Sequence, residues 1–407
     1  MSKIIAIVAS LDTKGTEVEF ARKLITDLGH SVLLIDTGVR AAPTITPDIS
    51  SQDVIQSAGL NWEQLIVSEK VKRIEIMTQA ITAKLKALYS EGRFDAVFSM
   101  GGAQNTTMAT SAMRALPLGV PKLMLTTMAS GKRSFGPLVG TKDMVVMHSV
   151  ADISGTNFIT ENVIGNAVAA ICGMAQLGSG PIRQQKKTVV GATMLGITSN
   201  GVVKATQMLE GRGHDVVTFH ANGVGGMAME ELIGQGMINA VLDMTLHEIT
   251  SELFGGYCAG ATGRLKAAAT AGIPQVLVPG AIDMIDFDVD QDGNIPAEAV
   301  TREKKYLHNS SIVHAKVTQA EIIEAARLVA ERVNQSNGPV TVLLPLRGFC
   351  EAGAPGGKLH DPAVDRAFID TLRSSLGKKV KVVEVDHNIN DAEFAEAAAV
   401  ALLEYLP

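Results

Sequence analysis

Cysteine is scarce in this 407-residue chain: Cys172, Cys258 and Cys350 are the full set, and none forms a C-x-x-C pair. That spacing argues against a disulfide framework or a structural zinc site and fits a reducing compartment. Positive charge is not in excess either. A net charge of -6 provides no basic field for phosphate backbones or anionic lipid, so nucleic acid and membrane are excluded as expected partners. No apolar run nears the roughly 18 uninterrupted residues of a membrane span. The opening run Lys3 to Val8 is too short, and lacks the cleavage site, for a signal peptide. A cytoplasmic protein is expected. Also missing are G-x-x-x-x-G-K-[ST], H-E-x-x-H and G-x-S-x-G, which removes the Walker A, zincin and serine-hydrolase readings.

What the chain has is 46% hydrophobic residues, 19% charged residues and 39 Gly. Such a composition suits large buried sheets with tight turns, and the length suits two domains. Short β-branched runs alternate with helical-period segments throughout, the pattern of repeated βαβ units. Strands are expected at 4–9, 32–35, 96–99, 123–126 and 144–147, and again at 189–195, 216–219, 240–242, 276–278, 340–344 and 380–385. A helix from Phe158 to about Ala175 ends at Gly178-Ser179-Gly180-Pro181, and the charged run 183–187 follows. Gly and Pro stop the helix and the polar run resists burial. The fold class is therefore α/β, two Rossmann-like domains (1–180 and 181–407), each with a mostly parallel sheet flanked by helices.

In open parallel sheets ligands sit beyond the carboxyl ends of the strands. In the first domain Ser10-Leu11-Asp12-Thr13-Lys14-Gly15 precedes a helix expected near Thr16, where amides, Lys14 and hydroxyls make an anion site. The same residues would also serve as an ordinary helix cap. Met100-Gly101-Gly102 leads into Ala103-Gln104-Asn105-Thr106-Thr107, whose paired glycines permit close approach to a phosphate or simply a tight turn. Thr127, Ser130 and Gly131 follow the next strand, and Asp152 to Asn157 the one after.

In the second domain Gly223-x-Gly225-x-x-Ala228, with Asp243 downstream, has the outline of a dinucleotide fingerprint but follows the wrong strand. Asp286-x-Asp288-x-Asp290-x-Asp292-Gly293 has a calcium-loop outline but, with Asp288 as position one, reaches Ala299 at position twelve, so a solvated acidic loop is expected. Asp243, Glu248, Asp283, His308 and Arg347 lie near strand ends and are the candidate catalytic set, able to supply acid, base and an anion clamp together with Arg264. His247 and His308 lack a metal-ligand spacing, and no metal site is assigned.

The runs Asp12-Thr13-Lys14-Gly15, Met100-Gly101-Gly102, Ala112 to Lys122 and Asp152 to Asn157 form a specific set with Gly263-Arg264-Leu265, Ala271 to Val276, Pro279 to Met284, His308-Asn309 and Pro345-Leu346-Arg347-Gly348. In these the chain resembles uncharacterised protein family 0261, the ATP-binding family related to the inhibitory domain of plant tobamovirus-resistance proteins. The resemblance implies two Rossmann-like subdomains, ATP binding and a homodimer, without a defined reaction. Cys350 and Gly353 depart from it, standing where a Ser and an Asp are expected.

Combined, these readings lead to ATP or a related nucleotide on the first domain. Asp12, Lys14, Gly15, Gly101, Gly102, Thr106, Thr107, Thr127, Ser130 and Gly131 would hold it, with Mg bridging the phosphates of a triphosphate. A small anionic metabolite is expected on the second domain, with any chemistry in an interdomain cleft. Hydrolase or lyase action on a small acid without nucleotide turnover, and nucleotide-responsive binding without catalysis, are the competing functions.

Overall fold

The computed structural model describes residues 1–129, 136–182 and 187–407, apart from the side chain of Gln64. The chain divides into two compact units at residues 182/183.

In the N-terminal unit β1 (Ile4–Ala9), β2 (Ser31–Asp36), β3 (Ala96–Gly101), β4 (Lys122–Thr126) and β5 (Val145–His148) form a wholly parallel sheet in the order β2-β1-β3-β4-β5. Successive side chains of a strand point to opposite faces. Ile5, Ile7 and Ala9 therefore join the core beneath helices Leu11–Asp27 and Phe158–Leu177, whereas Ala6 and Val8 join the core under Lys70–Ser90 and Ala103–Arg114. Both faces are covered, which is why these strands read as continuous apolar runs. Helix Phe158–Leu177 is long and apolar enough to cross a membrane by composition. Its Ile164, Val168 and Ile171 are spent in the core, and Asn157 caps its start by accepting from the amides of Ile159 and Thr160.

The C-terminal unit contains β6 (Val189–Met194), β7 (Asp215–His220), β8 (Ala240–Asp243), β9 (Gln275–Leu277), β10 (Met284–Asp288), β11 (Lys305–Leu307), β12 (Ile312–Lys316), β13 (Val340–Pro345) and β14 (Lys381–Val385). Six of them form a parallel sheet ordered β14-β13-β9-β8-β6-β7. The other three make an antiparallel sheet, β10-β12-β11, that the apolar pattern did not reveal. The expected acidic loop begins inside that sheet. Asp286 is buried at the centre of β10, whereas Asp288, the last residue of the strand, is exposed. Further along, Asp290 folds back to accept from the amides of Asp292 and Asn294, which makes a turn and no calcium cage.

Candidate functional site

The N-terminal strand order reverses direction between β1 and β3, and a crevice forms beyond the carboxyl ends of strands at such a switch point. A cavity of about 640 Å³ lies there, lined by Ser10, Asp12, Thr13 and Lys14 after β1 and by Gly102 to Asn105 and Thr107 after β3. Arg40, Lys70 and Ile74 complete its wall. Three cationic side chains thus face it against the single carboxylate of Asp12. The first turn of helix Ala103–Arg114 borders the same space, and first-turn amides have no acceptor within their own helix. Its start carries no side-chain cap.

The two expected phosphate loops behave differently. The first helix begins at Leu11, not near Thr16, so Asp12, Lys14 and Gly15 lie within its opening turns. Its leading amide is already taken: Leu11 N donates to Asp36 Oδ1 at 3.0 Å, an oxygen that also accepts from Gly38 N. Burial raises the Asp36 carboxyl above its ordinary range, with those amides opposing the shift. Gly15 faces the loop after β2, where an added Cβ would fall 1.9 Å from Thr44 Oγ1. Close packing explains that glycine. Asp12 accepts from the amides of Arg40 and Ala41, which fixes the loop bearing Arg40, while its Oδ1 has no hydrogen-bond partner. Lys14 Nζ donates to Ile153 O.

The loop after β3 remains open to a ligand. A Cβ at Gly101 would sit 2.9 Å from Asn105 Cβ, so glycine allows the helix to start close against the strand. Asn105 is held by Ser99 Oγ and Met100 O, and its Oδ1 is shared by Ser10 and Thr37. Thr106 is turned away from the cavity, its hydroxyl donating to Gly102 O and paired with Thr126 Oγ1. Thr107 lines the wall. Thr127 donates its amide to Gly101 O, and Ser130 and Gly131 lie outside the described residues. Arg40 stands in the loop after β2, which the sequence did not single out, and Lys70 opens helix Lys70–Ser90, remote in sequence from any strand end.

The corresponding switch point of the C-terminal unit, between β6 and β8, is filled by the protein itself. Arg264 donates from Nε to Glu248 at 2.7 Å and from Nη2 to Asp243 at 2.8 Å, and Nη1 lies 3.3 Å from Glu230. All four side chains are buried. Thr193 donates to Asp243, and Thr198 pairs with Thr245. Burial pulls the Arg264 guanidinium toward neutrality, but Asp243 and Glu248 outweigh it and push its pKa up. Burial raises the Glu230 carboxyl, partly offset by Arg264. The glycine fingerprint belongs to this knot. Gly223 and Gly226 donate their amides to Glu248, and a Cβ at Gly226 would lie 1.9 Å from Glu248 Oε2. A carboxylate of the protein occupies the amides that a dinucleotide would need, and Asp243 is tied to Arg264 instead of facing a ribose.

The remaining members of the expected catalytic set are dispersed. Asp283 meets Lys316 Nζ at 2.5 Å in a buried cluster with Asp365. Arg347 forms a two-pronged bond to Asp386 on the surface, with the two side chains 56% and 69% exposed. His308 stacks on His314, ring centroids 4.3 Å apart, at a cavity of about 370 Å³ that also includes Tyr306, Glu351 and Lys358. The structure does not gather Asp243, Glu248, Asp283, His308 and Arg347 into one acid, base and clamp arrangement.

The small antiparallel sheet gathers a different group. Register pairs Asp286 with His314 and His314 with Tyr306. Tyr306 Oη lies 3.0 Å from His314 Nδ1, His314 Nε2 lies 3.4 Å from Asp286 Oδ1, and Asp286 Oδ2 lies 3.3 Å from His247 Nε2. Burial lowers His314 to about 4 and raises Tyr306 to about 12. His247 is buried too, but Asp286 reverses that effect and raises it.

The fold is thus that of a two-domain α/β protein with two parallel sheets flanked by helices. The N-terminal domain model of the uncharacterised protein family UPF0261 matches residues 3–179 and its C-terminal domain model residues 187–406, and the chain belongs to that family. A UPF0261 protein of Clostridium tetani is 38% identical over all of both chains. The tomato (Solanum lycopersicum) ToMV resistance protein Tm-1(GCR237) is 34% identical over 88% of this chain and 48% of its own. Among solved structures, Acinetobacter baumannii MurG is 10% identical over 99% of both chains with a TM-score of 0.24.

Proposed function

We propose that the N-terminal unit binds a nucleoside triphosphate, ATP, with its phosphates in the cavity at the β1/β3 switch point. The observation that carries this reading is the cavity itself: Lys14, Arg40 and Lys70 surround the uncapped start of helix Ala103–Arg114. A helix start offers amides and a partial positive charge to an anion, and cations beside it add charge-assisted bonds. Net excess of two positive side chains over Asp12 suits a polyphosphate better than a neutral ligand. The phosphate cradle is assigned to Gly102, Ala103 and Gln104 in preference to the Gly15 turn, whose leading amide is held by Asp36. Asp12 Oδ1, lacking a hydrogen-bond partner, fits an oxygen ligand for Mg accompanying the phosphates.

Calorimetric titration of the full chain with Mg-ATP tests the reading, alongside Gly102→Val, which places a branched side chain on the cavity wall. Saturable equimolar binding by the wild type, weakened at least about tenfold in a variant with unchanged circular dichroism, is expected from loss of close approach to a charged group. Absence of wild-type binding rejects it.

A further inference from the structure

We propose that His247, Cys258 and Asp286 form a binding site for a zinc-class divalent cation in the C-terminal unit. His247 opens helix His247–Phe254, Cys258 follows that helix, and Asp286 stands at the centre of β10. One ligand atom from each, a ring nitrogen, a thiol sulfur and a carboxylate oxygen, lies within 4.8 Å of the other two, and all three residues are buried. Thiolate with imidazole is a donor set that zinc favours.

The separations fit a common ion. Tetrahedral zinc, with bonds of about 2.0–2.1 Å to nitrogen and oxygen and about 2.3 Å to sulfur, sets neighbouring ligands roughly 3.4 Å apart for N and O and about 3.6 Å for S and O. Here His247 Nε2 is 3.3 Å from Asp286 Oδ2, and Cys258 Sγ is 3.7 Å from the same oxygen. The rear of the ring is also prepared. His247 Nδ1 lies 3.1 Å from the carbonyl oxygen of Ala281, an outer contact of the kind that orients metal-bound histidines. Ala281 presents that carbonyl from the left-handed region, φ 54°, an unfavourable conformation for a residue with a Cβ. Asp286 Oδ1, also buried, has only the longer 3.4 Å contact to His314 Nε2 beside it.

A hydrolytic thiol relay would be built otherwise. In such a relay the acid holds one ring nitrogen and the nucleophile addresses the other. Here a backbone carbonyl holds Nδ1, while carboxylate and thiol both converge on the Nε2 side, as ligands do around a cation. Ser251 Oγ lies 3.2 Å from Nε2, the nitrogen a bound ion would take, so hydroxyl and ion compete for it. Three protein ligands leave zinc a fourth position for water or a substrate oxygen. From Asp286, His314 and Tyr306 lead outward to the cavity of about 370 Å³ at His308, which gives a polar route to the site. The inference rests on the C-terminal unit alone and is independent of nucleotide binding.

The full chain, treated with chelator and titrated with Co²⁺, is expected to bind one ion with a thiolate-to-cobalt charge-transfer band. Cys258→Ala is expected to abolish the band, and Cys172→Ala, in the N-terminal unit, to retain it. X-ray absorption of the zinc-loaded wild type, which needs no variant to fold, is expected to give one sulfur at about 2.3 Å with nitrogen and oxygen neighbours. Failure to bind an equimolar ion, a cobalt band surviving in Cys258→Ala, or a zinc shell without sulfur overturns the proposal.

Discussion

Arg264 and Glu248 meet with both side chains wholly buried, Nε donating to Oε2 at 2.7 Å. The guanidinium also serves Asp243 and Glu230, so its removal strands three carboxylates in a low-dielectric interior. Breaking a buried charge cluster by deleting one partner typically costs about 3–5 kcal/mol. Arg264→Ala is expected to lose that much in urea unfolding monitored by circular dichroism; a loss below about 1 kcal/mol would mean the knot is not held as drawn.

Glycines on the two units should respond in opposite directions to alanine. At Gly226 the new Cβ would fall 1.9 Å from Glu248 Oε2 and 2.4 Å from Arg264 Nε, which forces the knot apart. At Gly165, within helix Phe158–Leu177, nothing lies within 4 Å of the added atom. Gly226→Ala is expected to lower the melting temperature and Gly165→Ala to raise stability by about 0.4–1 kcal/mol through reduced unfolded-chain entropy.

Asp365 introduces a pH dependence. Burial, and then repulsion from Asp283, raises its carboxyl to about 7 although both share Lys316. A carboxyl with a raised folded-state pKa holds its proton better when folded, so its contribution is complete below about 4 and disappears as pH rises through about 7. Asp365→Asn stays neutral throughout. The stability of the wild type relative to that variant should fall between pH 4 and 8, as read by denaturant unfolding at each pH; a constant difference would refute the assignment.

Arg347 provides a contrast with these buried groups. Its bond to Asp386 is open to water, where solvent screens an ion pair and leaves it little to contribute. Arg347→Ala should leave the urea unfolding midpoint unchanged, and a clear loss would show an unrecognised role.

The parallel sheets were legible because their central strands are covered on both faces and read as mostly apolar runs, Ile4 to Val8 and Val340 to Leu344 among them. The antiparallel sheet was not, since Asp286, His314 and Lys316 place buried polar and charged side chains inside its strands and erase that pattern. Local rules also misplaced the first helix start. Leu11-Asp12-Thr13-Lys14 looks like a polar loop, yet Leu11 is drawn into the core and starts the helix at once. Of the candidate site, Asp12, Lys14, Gly102 and Thr107 were found from their positions after strands, while the loop after β2 that carries Arg40 was not singled out and Lys70 reaches the cavity from a helix start. Gly223 and Gly225 suggested a cofactor because Glu248, which takes the amides of Gly223 and Gly226, is more than twenty positions away.

The most direct test of the nucleotide reading is Mg-ATP calorimetry on the full chain beside the double variant Arg40→Glu, Lys70→Glu, both side chains being exposed and replaceable without disturbing the core. Equimolar binding by the wild type, reduced at least about tenfold in a double variant of unchanged melting temperature, is the result predicted from the loss of two charge-assisted contacts. Equal affinity in both proteins, or no binding by the wild type, would contradict a phosphate site at the β1/β3 switch point.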